Sequence, residues 1–210
     1  MHIDGPATVD EMIGAFLRAE LRSDRWGDDH VRNSLSAHGW PATLVSDPDI
    51  SDPTANERRA QVLSDYRGWP DRLLFLRFPS DVVWHHATLQ PGEVEDVLGA
   101  NYRTWLLLSN GTRRVADCAH AARTGPLPKL PPGEDRTNVA EAAVRAHWVA
   151  RRYAAGEDLG PPILVAPSSL SPVIGVEGHT RLIGWALARR DEPIPVIVGT
   201  SDHLADWAFF

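Results

Sequence analysis

The stretch GVEGHTRLIGWALARR, Gly175 to Arg190, decides how the second half of this chain is read. Ile174 and Val176 close an apolar run that suits a strand, whereas Leu182, Ile183, Ala186 and Leu187 recur at helical spacing. The polar cluster Glu177, Gly178, His179, Thr180 and Arg181 therefore falls on the turn from a strand into a helix. The first turn of a helix carries amides without intrahelical acceptors, and together with the dipole they favour an anion. Gly178 lets a ligand approach the backbone, Thr180 or His179 can cap, and Arg181 can donate bidentately to a phosphate. Glu177 conflicts with a bare phosphate site, because a carboxylate there is repelled unless it holds a divalent cation or has a chemical task. In a phosphoryl-transfer site Glu177 would bind Mg²⁺ or take the proton of an attacking hydroxyl, with His179 and Arg181 steadying the transferred group. The same residue types admit a purely structural reading, in which Thr180 caps, His179 donates to a carbonyl and Glu177 pairs with Arg181.

Around this turn the pattern alternates helix and strand. Val139, Ala142, Ala143, Ala146, Val149 and Tyr153 form one apolar helical face, with Glu141, Arg145 and Arg152 opposite and Gly156 as a stop. Ile163 to Ala166 and Pro172 to Val176 read as strands, Arg189 and Arg190 suit the C-terminal end of a helix dipole, and Ile194 to Val198 is a further strand. The segment PLPKLPPGE, residues 126–134, holds four prolines and reads as an extended linker.

Toward the N-terminus, Thr8 to Glu11 has the form of a capping box, followed by Val9, Met12, Ile13, Phe16 and Leu17 at helical spacing. Glu20 lies on that apolar stripe and is expected to pair with an arginine such as Arg25 or to turn outward. Val31 to Ala37 reads as a short helix, and Asp52 before Pro53, with Gly68 and Pro70 at the far end, brackets another. Tyr66 and Arg67 at its exit read as capping, solvated groups. Leu73 to Phe78 and Val82 to Trp84 read as short strands, with His85 and His86 on opposite faces. Pro91 opens a short helix, and a brief apolar run, Trp105 to Leu108, precedes the turn Ser109-Asn110-Gly111 and a helix through Val115, Ala119 and Ala122. Asn110 and Arg113 could complete a pocket but are more often surface features. His147 has no Cys or His at zinc-ligand spacing.

Composition narrows the function classes. The 210 residues are 43% hydrophobic, enough for a sizeable core, and the eight Trp are first of all packing residues. A formal net charge of −7 opposes attraction to duplex phosphates, so a long nucleic acid is a poor partner. Cys118 stands alone and fits a reducing compartment, and with no targeting segment or membrane-length apolar run the expectation is a cytoplasmic protein.

The run from Glu141 to Gly199, with PPILV, VIGVEGHTRLIGWALA and IPVIV, resembles the ParB/sulfiredoxin-like superfamily, in which a Gly-x-x-Arg or Gly-x-His-Arg turn joins a strand to a helix. The turn is most similar to the Asp-Gly-His-Thr-Arg of ParB-like free serine kinases, with Glu177 in place of the aspartate. The resemblance implies an α+β fold: a small mixed sheet with helices in residues 71–210, preceded by a mainly helical N-terminal extension over residues 1–70. It further implies that Gly178, His179, Thr180 and Arg181 hold ATP or another nucleoside di- or triphosphate, with Mg²⁺ at Glu177 and Glu177 and His179 as catalytic groups. The implied activity is phosphoryl transfer to a small hydroxylated metabolite; a non-catalytic nucleotide sensor is the alternative, and a nuclease fits the acidic balance less well. The kinases draw a further carboxylate from an earlier helix, for which Glu93 and Glu95 occupy a comparable place. Sulfinic-acid reduction is disfavoured, since no cysteine lies in the turn.

Overall fold

Both halves of the expected capping box form: Thr8 N–H donates to Glu11 Oε2 at 2.7 Å, and Glu11 N–H donates to Thr8 Oγ1 at 3.1 Å. The helix they start, α1 (Val9–Leu21), is preceded by a strand, β1 (His2–Pro6), in a computed structural model that describes residues 1–23, 27–125 and 136–210. Arg25 and the proline-rich segment 126–134 lie outside the described residues. A π-helical stretch, Gly27–Arg32, leads to α2 (Asn33–Ala37) and α3 (Thr43–Ser46), and Asp52 then caps α4 (Pro53–Arg67) through Thr54 and Ala55 N–H. β2 (Val83–Leu89), α5 (Pro91–Asp96), β3 (Leu98–Gly99), α6 (Arg103–Leu108) and α7 (Val115–Thr124) follow. The last part is α8 (Arg136–Ala154), β4 (Ile163–Ala166), β5 (Ile174–Glu177), α9 (His179–Ala188) and β6 (Ile194–Thr200).

The strands make one six-stranded mixed sheet in the order β1-β2-β6-β4-β5-β3. β1, β2 and β6 run antiparallel in turn, β4 is parallel to β6 and antiparallel to β5, and β3 is parallel to β5. Helices cover both faces. Leu164, Ala166, Val196 and Val198 face a core completed by α5 to α9, while Ile163, Val165, Ile174, Val176 and Ile197 face one built with α1, α2 and α4. The alternation follows from the period of two along a strand, and burial on both faces explains why β4 is apolar at every position. The fold is therefore mixed α+β, with residues 1–70 sharing a core with the central strands.

Of three further segments, one departs from its sequence reading and two are given an element by the structure alone. HIDGP pairs with β2 as an edge strand, a position where Gly and Pro are tolerated. Leu73–Phe75 is a 3₁₀ turn rather than a strand, because Leu74, Phe75 and Phe78 enter an aromatic cluster with Trp69 and Trp207, and that packing overrides strand propensity. The run through Leu106, Leu107 and Leu108 is helical, in α6. Among the described residues no helix is long and apolar enough to cross a membrane.

Candidate functional site

β5 ends at Glu177, and the chain turns into α9 at Gly178, whose φ of 90° is a left-handed conformation. A Cβ there would also lie 2.9 Å from Pro162 Cβ and 3.0 Å from Arg181 Nη2, so glycine is required twice over. No side chain caps α9, contrary to the reading of Thr180 as a cap. The first intrahelical bond runs from Leu182 N–H to the Gly178 carbonyl at 2.9 Å, which leaves the preceding amides of His179, Thr180 and Arg181 without acceptors inside the helix.

Arg181 is held from two sides. Its Nη1 donates to the carbonyls of Leu159 at 3.0 Å and Gly160 at 2.7 Å, and its Nη2 forms an i, i+4 ion pair with Glu177. The residue is only 7% exposed. The pairing of Glu177 with Arg181 thus follows the structural reading of the turn. Burial pushes the Glu177 carboxyl above its ordinary range, with Arg181 opposing the rise and the nearby Glu20 adding to it.

His179 is buried, lies parallel to Trp105 with ring centroids 4.8 Å apart, and accepts a hydrogen bond at Nε2 from Ala100 N–H at 2.9 Å. That bond fixes a neutral tautomer with its proton on Nδ1. Burial, reinforced by the Arg67 charge, lowers its pKa to about 3. Because the folded-state value is depressed from about 6.5, this group's stabilisation is complete above pH about 6.5. It is lost as pH falls toward the folded-state value, at about 1.4 kcal/mol per pH unit. Wild type is therefore expected to lose about 1.6 kcal/mol more than His179→Gln between pH 6.5 and 5. Urea denaturation at both values checks this; equal losses in the two proteins would contradict it.

Beside this turn opens a cavity of about 720 Å³ between α1, α4, α6, α8 and the start of α9, with Gly178, His179 and Thr180 in its wall. Its charged lining is unusual for an acidic chain, with seven arginines and two glutamates. Arg67 comes from α4 and Arg181 from α9; Arg22 follows α1, Arg103 starts α6, and Arg145, Arg151 and Arg152 lie on α8. Neither Arg22 nor Arg151 has an ion-pair partner among the described residues. The two glutamates are Glu177 and Glu20, each paired with an arginine.

Glu20 is 2% exposed, accepts from Tyr66 Oη at 2.5 Å and Arg67 Nε at 3.2 Å, and pairs with Arg67 Nη2. Tyr66 and Arg67 are thus not solvated helix-end groups. They fasten α4 to α1 and place a second braced guanidinium near the Glu177 turn, close enough to influence both His179 and Glu177. The apolar position of Glu20 on the α1 stripe was the available signal; its partners lay 46 and 47 residues away. The other candidates sit elsewhere. Glu93 completes the cap of α5 and pairs with the N-terminus, Arg113 Nη1 donates to the Phe210 carbonyl at 3.0 Å, and His147 Nε2 lies 2.9 Å from the Ala122 carbonyl. None of these, nor Glu95 or Asn110, lines the cavity.

No family model, curated protein or solved structure matches the chain.

Proposed function

We propose that the cavity binds a nucleotide through its phosphates and that the protein is a nucleotide-dependent phosphotransferase acting on a small hydroxylated metabolite. The observation that carries this reading is that seven arginines and only two glutamates line the cavity beside the first turn of α9, in a chain of net charge −7. Arginine excess is wasted on a neutral ligand and is matched by phosphates, which it binds through charge-assisted and bidentate hydrogen bonds. The volume suits a nucleotide-sized molecule, within the roughly 300–1,000 Å³ of small-molecule sites. The order helix, strand, strand, Gly-His-Thr-Arg turn, helix and strand over residues 141–199 supports kinship with the ParB/sulfiredoxin-like proteins.

In this reading Gly178 and the amides of His179 and Thr180 face a phosphate, Arg67 and Arg181 supply fixed positive charge, and Arg22 and Arg151 complete the clamp. Glu177 is the proton acceptor for the attacking hydroxyl. A buried carboxylate with a raised proton affinity suits that task once a bound phosphate takes over the Nη2 donor of Arg181, whose Nη1 stays on the Leu159 and Gly160 carbonyls. His179 serves position rather than proton transfer, since its Nε2 lone pair is already used by Ala100. Glu20 and Glu177 are both occupied by guanidinium groups, and the described residues contain no group of three or more metal-ligating side chains. Mg²⁺ would accordingly be held by the nucleotide phosphates, where it would neutralise developing charge, and Glu177 is left free to act as the base.

The commitment of both carboxylates to arginines favours a second reading, a nucleotide sensor without turnover. Incubation with ATP, Mg²⁺ and a panel of hydroxylated metabolites, read by mass spectrometry, separates them. Phosphotransfer requires a phosphorylated product from wild type and none from Glu177→Gln, with ADP affinity retained within about threefold. Thermal stabilisation by nucleotide with no product would establish the sensor, and neither stabilisation nor product would remove both readings.

A further inference from the structure

α8 presents two unlike faces. Val139, Ala142, Ala146 and Tyr153 are buried in the core, whereas Val144, Arg145, Trp148, Arg151 and Arg152 line the cavity. Those five follow helical spacing, so they form one continuous strip along the cavity. On this strip Val144 is 67% and Trp148 38% exposed, an apolar pair left in contact with solvent inside an arginine-lined cleft. Trp148 is also held in place: the Arg152 guanidinium lies over its ring at 4.5 Å, and Arg152 Nε is fixed in turn by Glu157 Oε2 at 2.7 Å. An indole ordered in this way, with part of its surface open, offers a preformed surface for a flat partner. Phosphates alone need neither the ring nor a cavity of about 720 Å³.

We propose that Trp148 is the platform on which the base of the nucleotide stacks, and so the residue that separates nucleotides from inorganic polyphosphates and phosphorylated aliphatic compounds. The proposal rests on the nucleotide reading above and adds the ligand's orientation: phosphates toward the Gly178 turn, Arg67 and Arg151, base toward Trp148 and Val144. Stacking of a base on an aromatic side chain tolerates any base, so the platform selects for a nucleobase without choosing among them.

Calorimetric titrations of wild type, Trp148→Ala and Trp148→Phe with ATP and with inorganic triphosphate test it. Wild type should bind ATP at least about tenfold more tightly than triphosphate. Trp148→Ala should bring the two ligands within about twofold of each other while leaving triphosphate affinity unchanged, which also shows that the fold and anion site persist. Trp148→Phe should recover most of the gap. A wild-type ratio near one, or an ATP-to-triphosphate ratio that survives Trp148→Ala, would overturn the platform while leaving the anion site standing. Failure of both ligands to bind wild type would overturn the nucleotide reading itself.

Discussion

Arg181→Ala is expected to destabilise the fold by about 3–5 kcal/mol, the usual cost of removing one partner of a buried ion pair. Two losses combine in that figure. Glu177 would be left as a buried carboxylate without its counter-charge, and the Leu159 and Gly160 carbonyls would lose the guanidinium that ties their loop to α9. The Glu177 carboxyl, already raised by burial, should move higher still in the variant. A group with a raised folded-state pKa stabilises most below its unfolded value and loses that contribution as pH rises through the folded value. The deficit of Arg181→Ala relative to wild type should therefore shrink on acidification toward pH 4 and be largest near neutrality. Urea denaturation at several pH values checks both parts, and a loss under about 1 kcal/mol at pH 7 would show that the pair is not structural.

Arg67→Ala is expected to have an effect of similar kind, about 3 kcal/mol, because Glu20 is as deeply buried as the core hydrophobics around it. The Tyr66 hydroxyl still donates to Glu20 in this variant, which keeps the loss toward the lower end of the range for a stranded charge. Glu20→Gln should cost less, about 1–2 kcal/mol, since an amide retains an acceptor for Tyr66 and the arginine has some access to water. Denaturation of the two variants in parallel gives the order. A Glu20→Gln loss larger than that of Arg67→Ala would mean that the carboxylate is stabilised by something other than this arginine.

The two pairs also show what could be read from sequence. Glu177 and Arg181 stand four apart on one turn, so their pairing follows from local geometry. The capping box at Thr8, the Asp52-Pro53 start and the strand-to-helix turn at Gly178 were legible for the same reason, each being settled within a few residues. The Glu20 to Arg67 contact depends on how α1 packs on α4, which no local spacing encodes. The cavity beside the polar side of α8 was not legible, because charge on a helix looks the same whether it meets bulk water or a cavity. Leu73 to Phe75 failed differently: its residue types suit a strand, and only the aromatic cluster with Trp69 and Trp207 turns it into a 3₁₀ bend. One turn of the cavity wall was thus legible in the sequence, while most of the cavity's positive charge comes from elements distant from it along the chain.

On the proposed function, the arginine-lined cavity takes up a phosphate-bearing anion. Titration of wild type with pyrophosphate, and of the exposed-site variants Arg22→Glu and Arg151→Glu, addresses it with the least chance of disturbing the fold. Saturable one-to-one binding is expected, weakening as salt rises, with each reversal at least about fivefold weaker. No binding by wild type at millimolar pyrophosphate and low salt, or affinities unchanged by either reversal, would contradict it.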